Sequence, residues 1–434
     1  MIKYINLLYY KLLKACLPGR VLIVIKSDVM KKLFYPLIIL GVLVLFYAFR
    51  PIGKNTRHDV YKNEAWDKVF DSVAANNPLP AFYVASIDKK GINYHYAHGN
   101  EIWTKDKPLD ENSIFRIYSM TKALTSVSVM QLVEQGKVKL DEPLDKWLPD
   151  MVEIPVLKDD GTLVKSSKTI TLRQLLTHTS GFAYFFTNSK LAKFKKPGDW
   201  KYKDLPRVFE PGDKYNYGTS LDWVGRLVEK VSGENLEQYI EQNICQPLQM
   251  NRTFFTVPDS LIKNIVSFGQ LRGGKFVADS AWRMNMAEIK PKEFIGGGGL
   301  FSTAHDYGRF IQCILNDGML NGKRIIKKST LDTMCVNQMG NLRIQFDIPK
   351  GFSFLADTTS KGIGRDQMGL GWAIAVTGTT GAPYGSVYWG GLANTYFNID
   401  RKRGRAIMFF SNVLPFGSRY PESIFAKAEE LFYK

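Results

Sequence analysis

The stretch Ile117-Tyr-Ser-Met-Thr-Lys-Ala-Leu-Thr-Ser126 sets a hydroxyl, on Ser119, and an amine, on Lys122, three residues apart where an apolar-periodic segment begins. From Met120 to Glu134 apolar residues recur at Leu124, Val127, Met130 and Val133, the spacing of one helix face, and Gly136 stands where such a helix would stop. Side chains three apart on a helix are neighbours, about 5–6 Å between Cβ atoms, so Lys122 can take a proton from Ser119 without rearrangement. Burial disfavours the charged form of a lysine and makes it a usable base. The N–H of a residue at a helix N-terminus can also face an oxyanion. Ser-x-x-Lys arises by chance in any chain rich in both residues, so the pair takes its meaning from the rest of the sequence.

Working outward, residues 81–87 and 92–97 flank Asp88-Lys-Lys-Gly91 and read as a β-hairpin with a four-residue loop. Helices are expected over 171–178, ending at Gly181, and over 221–231, ending at Gly233, with Ser220 as N-cap. Strands return at 371–376, 386–389, 395–399 and 406–410, and an amphipathic helix is expected over 422–432. Strands at both ends with helices between them predict one sheet built from N- and C-terminal segments, with an inserted helical lobe. Two further segments accompany the opening pair. Tyr217, in Tyr215-Asn-Tyr-Gly-Thr219, sits in a loop just before a helix, where it is either a turn tyrosine or a group reaching a cleft. Trp389-Gly-Gly-Leu392 puts two glycines among strand-forming residues, the mark of a bulge or of a close approach to the backbone.

These three segments, in this order, resemble the serine β-lactamase and penicillin-binding-protein superfamily, most closely class C β-lactamases and family VIII carboxylesterases. Residues 141–149, 170–181 and 297–310 resemble that family's framework segments. The resemblance, which covers residues 66–434, implies an α+β, β-lactamase/transpeptidase-like fold with an antiparallel sheet, and a set of roles: Ser119 acylated, Lys122 its partner, Tyr217 sharing the general-base work, and the backbone N–H groups of Ser119 and Leu392 as oxyanion hole. Thr219, Trp389, Gly390 and Gly391 would meet the substrate. Two positions depart from the family pattern. Thr219 stands where β-lactamases usually carry Asn, which removes an amide. Trp389 replaces a lysine or histidine that helps hold a substrate carboxylate, which removes charge-assisted recognition of an acid and adds an apolar wall. Both changes predict a carboxylesterase acting on small or medium acyl esters through an acyl-Ser119 intermediate. The alternatives are a D-alanyl carboxypeptidase or weak β-lactamase on cell-wall-like substrates, with an arginine from elsewhere supplying the cation, and a non-catalytic binding protein on the same fold. Bland roles are expected for His178, which would cap or pack, and for Gly296-Gly-Gly-Gly299, which lacks the Gly-Lys-Ser/Thr ending of a phosphate loop.

Composition sets the remaining bounds. The 434 residues are 45% hydrophobic, enough for a sizeable core, and the formal charge of +17 is uneven, with eleven Lys/Arg against three Asp/Glu in residues 1–65. Residues 33–49 are free of charge and bracketed by basic residues, so a transmembrane anchor or signal is expected there. Residues 1–32 would then be a cytoplasmic basic segment, or, with Met30 as the start, residues 1–29 a mis-assigned extension, and 50–65 a linker. This topology places the catalytic domain on the exported side, membrane-anchored or, after cleavage of a signal, secreted. Basic and aromatic residues at this end fit membrane flanks and carry no nucleic-acid recognition motif. Four scattered cysteines offer no disulfide framework or metal-ligand spacing, and His95 and His98 fall on opposite faces of one strand. No metal or organic cofactor is expected, and the sequence leaves the oligomeric state open.

Overall fold

The computed structural model describes residues 63–196, 198, 205–345, 347–355, 364–376 and 381–433. A seven-stranded antiparallel sheet organises them. Strands β1 (Phe82–Asp88), β2 (Gly91–His98), β3 (Gln367–Met368), β4 (Ala373–Ile374), β5 (Val387–Gly391), β6 (Thr395–Asp400) and β7 (Arg405–Phe410) lie in the order β3-β4-β5-β6-β7-β1-β2. The expected hairpin is β1–β2, with a register shift after Ser86 and Gly91 at φ +129°. Tyr83 stands opposite Phe410 and Ala85 opposite Met408, so the first strand of this sheet in chain order pairs directly with its last.

Side chains alternate across β1 and β7, and both faces are covered. Phe82, Val84, Ile407 and Phe409 pack with Phe70 of α1 (Glu64–Ala75) and with Ile424, Phe425 and Phe432 of α5 (Arg419–Phe432). Tyr83, Ala85, Met408 and Phe410 face the opposite way, onto Tyr307 and Phe310 of α4 (Ala304–Leu315) and the helical lobe. Sheets solvated on one face alternate polar and apolar residues, whereas burial of both faces explains the nearly continuous apolar run of β1. Helix α1 begins at Glu64, inside the segment expected as linker. Its N-cap is Asn63, whose side-chain oxygen accepts from the N–H groups of Ala65 and Trp66 at 3.1 and 3.2 Å.

The lobe is built around α2 (Thr121–Glu134), with α3 (Ser220–Ser232) against it. An amphipathic face was expected for α2, yet every residue from Thr121 to Leu132 is buried. A helix buried all round must satisfy its polar side chains internally. Thr125 Oγ1 donates to the Gly296 carbonyl at 2.8 Å, Ser128 Oγ to Leu124 at 2.9 Å and Gln131 Nε2 to Ile325 at 2.8 Å. Helix α3 ends as expected at Gly233, φ +81°, but its N-cap is Thr219; Ser220 Oγ pairs instead with Ser180 Oγ at 2.9 Å.

The expectation of a membrane-spanning helix is corrected. Among the described residues no helix is long and apolar enough to cross a membrane. The longest of those above, α2 and α5, have 14 residues each, against about 20 for a bilayer span. Residues 33–49, on which that expectation fell, lie outside the described residues.

Candidate active site

Ser119 lies in a single 3₁₀ turn, Tyr118–Met120, that leads straight into α2. Tyr118 is left-handed, φ +43°, a conformation that costs a non-glycine residue about 1–3 kcal/mol and persists only where the surroundings impose it. Here they do. Ile117 N–H donates to the Leu300 carbonyl at 3.1 Å, Tyr118 Oη accepts from Arg116 at 3.2 Å, and β5 packs so closely that a Cβ on Gly391 would sit 2.2 Å from the Ile117 carbonyl oxygen. The two glycines therefore mark a close approach. Strand β5 keeps its register through them, with Gly390 opposite Tyr396 and Gly391 opposite Thr395.

The turn presents Ser119 Oγ to two partners. Lys122 Nζ lies 3.1 Å away, and Tyr217 Oη donates to the same oxygen at 2.6 Å. Tyr217 reaches it because its carbonyl is pinned by Thr187 Oγ1 at 2.6 Å and Asn216 Nδ2 at 2.9 Å, and because Gly218 leaves no side chain to strike Ala183. Its ring is walled by His178, Trp389 and Tyr184, with centroids at 5.0, 5.3 and 5.1 Å. Lys122 Nζ lies 4.8 Å from the centre of the Tyr217 ring, and its other two donors go to the Gly297 carbonyl at 2.5 Å and Tyr184 Oη at 3.3 Å.

Ser119 and Tyr217 open into a cavity of about 460 Å³, also lined by Trp389, Gly390 and Leu392. Phe186, Phe255, Ile295, Ile344 and Phe416 make much of its wall hydrocarbon. Gly391 lies behind the wall, against Ile117. Thr219 does not line this cavity; it caps α3 and faces an adjoining cavity of about 1020 Å³. His178 is not in a helix. It follows the helix Leu172–Leu176 in the left-handed region, φ +55°, fully buried, with its ring stacked on Trp389. Burial, and then the charge of Lys122, holds its pKa well below the usual histidine range.

Four contributors were missed in the sequence. Tyr184 lies in an aromatic run that carries no motif. The glycine run at 296–299 lacks the ending of a phosphate loop, but glycine also signals close backbone approach, and Gly297 is the residue whose carbonyl holds Lys122. Asp222 Oδ1 accepts from the N–H of that same Gly297 at 2.8 Å, and burial pushes its pKa up to about 6. Arg116 lines the cavity with its side chain buried. Nη1 donates to Tyr118 Oη, to the Trp282 carbonyl at 3.3 Å and to Glu288 at 2.8 Å, while Nε and Nη2 have no hydrogen-bond partner. The cleft wall therefore includes a guanidinium, with its charge paired to Glu288.

Known proteins share this arrangement's frame. Monacolin J acid methylbutanoyltransferase of Aspergillus terreus is 30% identical over 386 residues, 80% of this chain and 90% of that protein. The lovastatin esterase of Penicillium rubens is 28% identical over 368 residues, 77% of this chain and 89% of that one. Among solved structures, unliganded simvastatin synthase from Aspergillus terreus superposes with a TM-score of 0.74 at 26% identity, covering 86% of this chain and 98% of the other. The Beta-lactamase family matches residues 66–431, the span that holds the whole sheet, the helical lobe and every group around Ser119, and the chain belongs to that family.

Proposed function

We propose that this protein is a serine acyl-transfer enzyme that forms acyl-Ser119 and acts as a carboxylesterase on esters of small or medium apolar acyl groups. The observation that carries this is Ser119 Oγ held between Lys122 Nζ and Tyr217 Oη at the floor of a largely hydrocarbon cavity. Ser119 Oγ attacks the ester carbonyl carbon, and its proton passes to the Tyr217–Lys122 pair, which enters the step one proton short so that Tyr217 Oη or Lys122 Nζ accepts from the hydroxyl. The oxyanion is met by the N–H groups of Ser119 and Leu392, the carbon–oxygen bond to the leaving alcohol breaks, and the pair returns the proton to that oxygen. Water then attacks acyl-Ser119, and the proton travels the same route in reverse. Trp389, braced by His178, offers the acyl chain a flat apolar face.

A second reading has its own support. An alcohol in place of water would make the same intermediate an acyl donor, as the name of the methylbutanoyltransferase relative says of that protein. Arg116 borders the cavity, and an acceptor bearing a carboxylate would be favoured there if it took the place of Glu288 at Nη1. The test is labelling with a fluorophosphonate, followed by turnover of p-nitrophenyl butyrate in water and with a hydroxy acid added. Labelling of Ser119 with release of butyrate supports the esterase, and capture of butyrate by the hydroxy acid supports transfer. Absence of labelling overturns both.

A further inference from the structure

Lys122 and Asp222 approach each other across a single glycine. Lys122 Nζ donates to the carbonyl of Gly297 at 2.5 Å, and the N–H of Gly297 donates to Asp222 Oδ1 at 2.8 Å. No other residue fits between them: a Cβ at 297 would stand 2.3 Å from Asp222 Oδ1 and 3.3 Å from Lys122 Nζ. The carboxylate is fixed in the first turn of α3 and the lysine in the first turn of α2, two helices that pack on each other in the lobe core. We propose that Asp222 is a positioning residue, holding Gly297 so that its carbonyl keeps the Lys122 amine at Ser119. This rests on the acyl-transfer reading of Ser119, and it adds to that reading a residue that touches no substrate.

The alternatives for Lys122 make the role necessary. Three acceptors surround its amine, and Ser119 Oγ, at 3.1 Å, is more distant than the Gly297 carbonyl. Were residue 297 free to turn its carbonyl away, Lys122 would follow the strongest acceptor and leave Ser119. An ionised Asp222 prevents this in two ways: a charged acceptor grips the Gly297 N–H about twice as strongly as a neutral one, and its charge attracts the amine directly.

Asp222 also lies on the wall common to the two cavities. A proton can reach it from the adjoining cavity while substrate fills the first. The charged groups around it are Lys122 on α2, Arg226 one turn further along α3, and Lys146, Asp150, Glu229, Lys230, Lys292 and Glu293 around the adjoining cavity. Burial outweighs the attraction of Lys122, the hydrogen bond from the Gly297 N–H and the attraction of Arg226, and pushes the carboxyl up to about 6. Activity is therefore expected to fall as the pH drops through 6, in kcat as well as in kcat/KM.

The test uses the whole chain and p-nitrophenyl butyrate. Asp222→Ala is expected to lower kcat about ten- to a hundredfold with KM within twofold, and a crystal structure of that variant to show Lys122 Nζ away from the Gly297 carbonyl. Asp222→Asn keeps an acceptor for the N–H and loses the charge; a smaller fall in kcat is expected, and the decline near pH 6 should flatten. An unmoved Lys122 in the Asp222→Ala crystal structure overturns the proposal whether or not Ser119 is the nucleophile. A decline near pH 6 that persists unchanged in Asp222→Asn overturns its charge-dependent half. Loss of labelling on wild-type Ser119 would instead strike the acyl-transfer reading, which the crystallographic comparison does not depend on.

Discussion

Ser119, Lys122 and Tyr217 are 98 positions apart at their extremes, yet one oxygen accepts from both of its neighbours. Ser119→Ala is expected to abolish fluorophosphonate labelling with the thermal transition intact; full labelling of that variant would remove Ser119 from the chemistry. Tyr217→Phe deletes the oxygen at 2.6 Å and keeps the ring among His178, Trp389 and Tyr184, so kcat for an ester should fall about 10²–10⁴-fold with little change in stability. Trp389 argues for substrate class. A charge-assisted bond to a carboxylate is worth about 1.5–3 kcal/mol, and indole cannot supply it. A p-nitrophenyl ester is expected to exceed any penicillin in kcat/KM, and Trp389→Lys to narrow that gap; equal turnover in the wild type would mean that Arg116 already serves as the cation. The three polar residues were legible because hydroxyl, amine and phenol carry motif information. Arg116, Tyr184 and Asp222 were not, because what makes each of them matter is a contact with a distant segment: Trp282 and Glu288, Lys122, and Gly297.

At the level of elements, the close packing of β5 on the approach to Ser119 is the most exacting joint. Gly391→Ala places a methyl 2.2 Å from the Ile117 carbonyl and 2.4 Å from Thr395 Oγ1. Overpacking of this kind costs about 1–3 kcal/mol, and because Ile117 is two residues from Ser119 the displacement should lower kcat more than tenfold. Gly136→Ala is the control: nothing lies within 4 Å of its added Cβ, and φ +71° makes it costly for stability alone. Denaturation curves beside ester kinetics separate the two, and a Gly391→Ala enzyme with wild-type kcat would show that β5 does not set the turn. The strands β5 to β7 and α5 were visible in the sequence because apolar periodicity survives in them. The full burial of α2 was not, since Thr125, Ser128 and Gln131 read as a solvated face until their acceptors at Gly296, Leu124 and Ile325 are known. Thr219 shows the converse: a position matched to a motif stands at the head of α3, turned toward the neighbouring cavity.

For the molecule as a whole, two buried groups pull its stability in opposite directions with pH. His178 stays neutral in the folded state, so below its ordinary pKa of 6.5 the unfolded chain gains a proton that the folded one refuses. Stability then falls with pH by up to about 1.4 kcal/mol per unit. Asp222 takes its proton near 6 when folded and near 3.8 when unfolded, which favours the folded state as pH falls through 6. His178→Asn, a residue that tolerates the left-handed conformation, should make the drop in melting temperature between pH 7.5 and 5.5 shallower. An identical slope in the two proteins would remove His178 from the balance. The sheet carries a different consequence. Because β1 is flanked by β2 on one side and β7 on the other, and β5 forms a wall of the cavity, a chain still on the ribosome without residues 387–410 has the serine, the lysine and the tyrosine but lacks the strand that closes the cavity and packs on the turn before Ser119. Pairings between such distant segments form late. A nascent chain is thus expected to be inert toward esters until residues 387–410 have emerged and paired, and a fluorophosphonate added to translating ribosomes should tag only chains that contain them.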